Sequence, residues 1–305
     1  MKKMLCLGYG YTAKRLAPRL IKEGWRIAGT TRSPEKAGSI AAEGIEPVLW
    51  RGATLDGNTQ ENALTQATFD GANAVLVSTG PSENGCPALA AAEAALAERA
   101  SLSDRPLQWI GYLSSNGVYG NHDGAWVDEN TPPAPTGARG KRRLAAENVW
   151  RAFADTHNLP LVIFRLPGIY GPGRSAFDRL RSGDATRMVK PGQVFSRAHV
   201  DDIATAVKAS LEAPSAGALY NVADDEPAPP QDVTAYAAQL LGIEPPPETP
   251  LDETQISPMA KSFWADNKRV SNALMKSALG VQLAYPSFRE GLKAIQDEEA
   301  NGNSP

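Results

Sequence analysis

Short apolar runs and longer amphipathic stretches alternate through the first half of the chain. The apolar runs at residues 4–7, 25–29, 47–50, 74–77, 109–113 and 161–165 read as buried strands. Between them, apolar residues recur at three- and four-residue spacing over 89–100 and 144–153, and a further helical pattern occupies 14–22. Strands alternating with helices predict a parallel sheet, and right-handed crossovers wind it doubly. The expected fold class is therefore α/β. A Rossmann-type dinucleotide-binding domain is expected over 1–170 and a smaller substrate-capping region over 171–305, with 199–223 returning to the first domain.

After Gly171 the texture shifts to Gly, Pro and shorter elements. Helices are predicted at 200–211, 231–241, 270–279 and 288–297. The Pro-rich stretch 244–250 predicts a stiff connector, neither strand nor helix. The polar tail from Glu298 predicts fraying.

Net charge is -3, so nothing in the electrostatics points to nucleic acid. The one basic cluster, Arg139 to Arg143, is short. The two cysteines, Cys6 and Cys86, have no metal-site spacing and cannot frame disulfides, which fits a reducing compartment. The apolar start breaks at Gly8 and Gly10 and turns basic at Lys14 and Arg15, unlike a signal peptide. No apolar run approaches the roughly 20 residues a membrane helix needs. These features together predict a soluble, cytoplasmic protein with no membrane partner.

The first chemistry lies between the first strand and the first helix, in Gly8, Gly10, Tyr11, Thr12 and Ala13. A dinucleotide loop needs this context: one glycine for the tight turn, one for close approach of the pyrophosphate, and a small third residue for helix–strand packing. The helix start adds N–H donors and a positive dipole end. A strand–turn–helix that binds nothing is the bland alternative. At the end of the second strand, Thr31 and Arg32 stand where an NAD site usually has an acidic residue. An arginine flanked by hydroxyls suits a 2′-phosphate and predicts NADP, with NAD the alternative and a merely solvated Arg32 the bland reading. Ser78 and Thr79 follow the fourth strand, where a ligand across the strand ends would pass.

With these residues assembled, the chain resembles the extended short-chain dehydrogenase/reductase family of nucleotide-sugar epimerases and dehydratases. Five segments in the family's order carry the resemblance: Ser114, Ser115, Val118, Tyr119 and Gly120; Asp128 to Pro132; Arg165 with Tyr170, Gly171 and Pro172; His199, Val200, Asp201 and Asp202; and Tyr220, Asn221 and Val222. The resemblance implies the Rossmann fold, Ser114 and Pro167 among the cofactor contacts, and Ser115 as the hydroxyl that bonds the substrate oxygen. It also implies a polar carbonyl substrate such as a sugar nucleotide. A homodimer through helices 89–100 and 144–153 is implied too, although sheet packing explains their apolar stripes equally well.

The family's Tyr-x-x-x-Lys pair is missing. In the register set by Glu147, Arg139 stands at the tyrosine position and Arg143 at the lysine position; if Lys141 is the lysine, Gly137 replaces the tyrosine. Arginine stays protonated and cannot cycle a proton. Tyr112, Tyr119, Tyr170 and His122 are the alternative proton carriers, each with a structural reading beside it, and Arg139 and Arg143 become candidate anion binders or a solvent-facing helix turn. His199 with Asp201 and Asp202 reads as a helix cap, so no metal is expected. Two functions stay open: an NADP-dependent reductase, epimerase or dehydratase without the usual tyrosine, and an NADP-binding sensor or scaffold that lost catalysis.

Overall fold

The computed structural model describes residues 1–52, 63–102, 107–215 and 217–301. Seven strands form the main sheet: β1 Lys3–Leu7, β2 Arg26–Thr31, β3 Glu46–Leu49, β4 Ala74–Val77, β5 Trp109–Ser115, β6 Leu161–Leu166 and β7 Leu219–Asn221. Their order is β7-β6-β5-β4-β1-β2-β3. The pairs β1–β2, β2–β3, β1–β4 and β4–β5 are parallel, with Leu5 opposite both Ala28 and Val75. Chain progression thus runs one way from β1 to β3 and the other way from β4 to β7. The reversal between β1 and β4 is the switch point at which open parallel sheets hold ligands.

Contacts divide the chain into two units: Met1–Ser114 with Lys141–Arg165 and Ala204–Tyr220, and Ser115–Gly140 with Leu166–Ile203 and Asn221–Pro305. The helices of the first unit are α1 Tyr11–Lys22, α2 Pro34–Ala42, α3 Pro87–Ala100, α4 Ala138–His157 and α5 Val200–Glu212, the last two shared with the second unit. In the first unit, Leu89 and Leu96 of α3 and Trp150 and Phe153 of α4 join Val75, Ile110, Tyr112 and Ile163 of the sheet in one apolar cluster. These apolar stripes are therefore spent on the sheet.

A polar lock sits at the edge of that cluster. Arg165 of β6 donates from Nε (3.1 Å) and Nη2 (2.8 Å) to the two carboxylate oxygens of Glu147 on α4, and Ser114 of β5 donates to the same carboxylate. All three side chains are buried, a setting in which each must be matched by the others.

The second unit has its own core, built on Tyr170, Phe177, Val233, Phe288, Leu292 and Ile295. Several boundaries differ from the sequence expectation here. Residues 269–270 form a short strand paired with Trp126–Val127, so the helix expected over 270–279 is only Ala273–Leu279. Val270 is fully buried and hydrogen-bonds through its N–H to Ser196, which fixes it as strand. Within 244–250, Glu248–Pro250 pairs in parallel with Arg187–Val189, and Arg187 donates to the Glu248 carboxylate and the Pro246 carbonyl. Proline is tolerated on such an isolated edge. The last helix, Phe288–Ala300, runs past Glu298 because a Ser287–Glu290 capping box starts it firmly and Arg181 pairs with Glu299; residues 302–305 lie outside the described residues. α4 begins six residues before the predicted start, at Ala138, with no acidic residue in its first turn. No helix among the described residues is long and apolar enough to cross a membrane.

Candidate functional site

In the first unit, the loop after β1 has the form of a phosphate cradle. Gly8 has φ +98°, and a Cβ there would lie 2.9 Å from both Ser78 Oγ and Thr79 Oγ1. Only glycine fits that turn. A Cβ on Gly10 would meet nothing within 4 Å, so the loop is open on that side. Gly10 is the N-cap of α1 and no side chain caps the first turn; an uncapped helix start presents amide donors to an anion. Tyr11 opens the helix half-buried. Thr12 and Ala13 are buried, so their side chains pack inward and only their backbone faces a ligand. These residues fit a dinucleotide.

Ser78 and Thr79 buttress the loop: Ser78 donates to the Gly8 carbonyl, and Thr79 to that of Leu7 at 2.8 Å. Thr30 was not singled out in the sequence, yet its Oγ1 accepts from the Gly8 N–H at 2.7 Å, and its carbonyl accepts from Tyr9 N–H. Tyr9 is a second omission. Its ring lies where a side chain at Gly29 would stand, and its hydroxyl reaches Glu43, which also pairs with Lys14. A glycine inside strand β2 was the available signal for that close approach. Thr31 is buried at the end of β2, while Arg32 is exposed and Ser33 caps α2.

Tyr112 is fully buried in β5, its ring stacked against Trp150. Burial pushes its hydroxyl up to about 12 despite the opposing Arg143 charge. Arg143, half-buried on α4, donates from Nη1 to the Tyr112 hydroxyl (3.1 Å) and to the Leu113 carbonyl (3.0 Å). Arg142 turns instead to Glu83.

In the second unit, Ser115 Oγ accepts from the Gly117 N–H at 3.1 Å and so caps the 3-10 turn Asn116–Tyr119. An acceptor role leaves the hydroxyl proton of this half-buried serine uncommitted, in contrast to Ser114, which spends its own on Glu147. A Cβ on Gly140 would collide with the Gly117 carbonyl and lie 2.9 Å from Pro135 Cβ, so the helix start is in backbone contact with that turn. Arg139 is exposed, its guanidinium 5.3 Å from the Phe263 ring centroid. Pro167 is half-buried between the strands Leu161–Leu166 and Gly168–Tyr170. His122 Nε2 lies 3.1 Å from the Tyr119 carbonyl, to which it donates. The Tyr119 hydroxyl is buried on Asn221, and that of Tyr170 donates to the Ser287 carbonyl, with burial raising Tyr170 well above the usual tyrosine range. These two tyrosines are structural.

His199 Nδ1 accepts from the Asp201 N–H, and Asp202 accepts from the amides of Ala284 and Tyr285. Among the described residues, no three His, Cys, Asp or Glu side chains gather to hold a metal. A cavity of about 460 Å³ in this unit is lined by Trp126, Asp128, Thr131, Asp225 and Asn272, with Asp224 in its wall. Asp224 is 2% exposed, and neither carboxylate oxygen has a hydrogen bond of ordinary geometry. Burial pushes it up to about 8, tempered by the Arg197 guanidinium and the amides of Arg197 and Glu226.

Comparison with known proteins adds four findings. A model described as the NAD dependent epimerase/dehydratase family matches residues 5–223. Protein YeeZ of Escherichia coli K12 is 29% identical over 296 residues, covering 94% of this chain and 97% of its own. A functionally unknown conserved protein from Silicibacter pomeroyi DSS has a solved structure that is 49% identical, with TM-score 0.87 over 98% of this chain and 99% of its own. UDP-glucuronic acid 4-epimerase from Bacillus cereus, solved with NAD, shares the fold at 18% identity, with TM-score 0.75 over 98% and 99% of the two chains.

Proposed function

The chain belongs to the NAD dependent epimerase/dehydratase family, and from that premise we propose that it is an NADP-dependent oxidoreductase or epimerase-like enzyme working without the family's tyrosine. Its substrate is a sugar nucleotide or similar polar carbonyl compound. The observation that carries the reading is the cradle at Gly8 and Gly10 beside an uncapped helix start. A bound nicotinamide supplies or accepts hydride. Gly10 and the first turn of α1 hold the pyrophosphate, and exposed Arg32 meets a 2′-phosphate. Ser115 bonds the substrate oxygen through its uncommitted proton. UDP-glucuronic acid 4-epimerase, named above, is a sugar-nucleotide enzyme, which supports the substrate class.

One observation favours a second reading, an NADP-binding sensor. In the register set by Glu147 the positions of the catalytic pair hold Arg139 and Arg143, and Tyr112 is buried and hard to ionise. Absorbance at the NADPH band against a panel of sugar nucleotides and aldehydes separates the two. Turnover lost in Ser115→Ala supports the enzyme; tight NADPH binding with no turnover across the panel supports the sensor. A soluble cytoplasmic location and a homodimer belong to the same proposal.

A further inference from the structure

The cavity that Asp224 and Asp128 line lies wholly within the second unit. Its volume of about 460 Å³ suits a small organic molecule. Three of its lining side chains are carboxylates, and among the described residues no lysine, arginine or histidine lines it. The amide and the threonine hydroxyl of the wall spend their donors inside the protein. Asn272 donates from Nδ2 to the Ala223 carbonyl and to Asp225, and Thr131 donates its hydroxyl proton to Asp128. Lys276 closes on Asp225 and neutralises it. Acceptors are left over. Asp224 is 2% exposed with no hydrogen-bond partner on either oxygen. Arg197 attracts it through space, but donates from Nη1 to the Phe195 and Ala228 carbonyls instead. Asp128 spends Oδ1 alone, on Thr131 and on the amides of Asn130 and Thr131.

A buried carboxylate without donors is costly, and a group that brings donors without acceptors relieves it. A protonated amine is such a group, with three donors, no acceptor and the opposite charge. Among the described residues the carboxylates do not gather to hold a metal ion, which favours an organic cation over a bare one. Trp126, 58% exposed at the same cavity, offers an aromatic ring, on which a cation and its carbon skeleton both gain. We propose that this cavity binds a small organic molecule carrying a protonated primary amine. Asp224 receives the ammonium, Asp128 adds a second acceptor, and Trp126 flanks the carbon skeleton. The site gives the second unit a ligand of its own and does not depend on the dinucleotide reading.

The test is calorimetric titration of the purified full chain at about pH 8.5. That is above the value of about 8 to which burial pushes Asp224, and below the roughly 10 of a primary amine. The groups facing Asp224 are Arg197, which favours its charged form, Asp225, which opposes it, and Tyr170, which stays neutral at this pH. Propylamine, ethanolamine and putrescine are the probes, with propanol, ethylene glycol and 1,4-butanediol as neutral counterparts and magnesium chloride as a bare cation. At least one amine is expected to bind saturably, roughly tenfold or more tighter than its counterpart. Asp224→Asn should weaken that amine by roughly tenfold or more and Trp126→Leu by about two- to fivefold, with NADPH affinity held within about twofold. No saturable amine binding below about 10 mM overturns the inference. So does a neutral counterpart or magnesium bound as tightly as the amines, an Asp224→Asn chain that binds them like the parent, or an equal loss of NADPH affinity in that variant. Should Asp224→Asn not fold, Asp128→Asn and Trp126→Leu, both at exposed positions, take its place, and amine affinity unchanged in both overturns it. If an amine binds the unmodified chain while NADPH does not, the dinucleotide reading alone falls.

Discussion

Arg143 donates to the hydroxyl of Tyr112 at 3.1 Å, so the tyrosine nearest the lysine position is a buried acceptor and not an exposed acid. With its hydroxyl pushed up to about 12, Tyr112 has no titration near neutrality. The raised value means that the folded state favours the neutral phenol. Its contribution is complete below about pH 10, the usual tyrosine value, and lost as pH rises toward 12. Tyr112→Phe should therefore leave any pH–rate profile below pH 9 unchanged and flatten the alkaline loss of stability. Urea titrations at two alkaline pH values check the second part; a shifted neutral profile would assign Tyr112 a chemical role.

Arg32→Ala should lower NADPH affinity by about tenfold or more while NADH affinity stays level, because only the phosphate partner is removed. Parallel fluorescence titrations with the two cofactors measure the ratio. An unchanged ratio would return the site to NAD.

Glu147→Gln breaks the buried ion pair with Arg165 and the acceptor for Ser114 at once. Leaving a guanidinium buried without its partner costs about 3–5 kcal/mol. Denaturant midpoints should fall accordingly, and loss below about 1 kcal/mol would mean that the pair is open to water in solution.

Asp224 predicts an acid-side effect of unusual sign. A carboxyl raised in the fold from the ordinary carboxylate range to about 8 holds its proton longer folded than unfolded. It stabilises most at low pH, and that contribution is lost as pH climbs from about 4 to 8. The groups facing it are Arg197, which favours the charged form, and Asp225, which opposes it. Asp224→Asn should raise stability at pH 8 by about 1–3 kcal/mol and remove this slope. Thermal midpoints across pH 5 to 8 provide the check.

Much of this was legible from pattern alone. β1 to β6 fall on the six runs; those at 4–7, 74–77 and 109–113 are apolar throughout and buried because both faces of a parallel sheet are covered there, whereas the edge strand β3 is largely exposed. The phosphate loop was legible because glycine is the only residue its backbone accepts at Gly8. The short strands of the second unit were not: Val270 and Glu248 are set by pairing partners 143 and 61 residues away in sequence, Val127 and Arg187. Side-chain direction was equally hidden. Arg139 and Arg143 look alike in the sequence, yet one stacks on Phe263 and the other turns inward to Tyr112.

The Ser114–Glu147–Arg165 lock lies one helical turn beyond Arg143 on α4. It pins the helix to β5 and β6 without help from the turn before it. In the preceding turn the constraint is of a different kind: Gly140 is held in backbone contact with the Gly117 turn, whereas the side chain of Arg139 stands exposed.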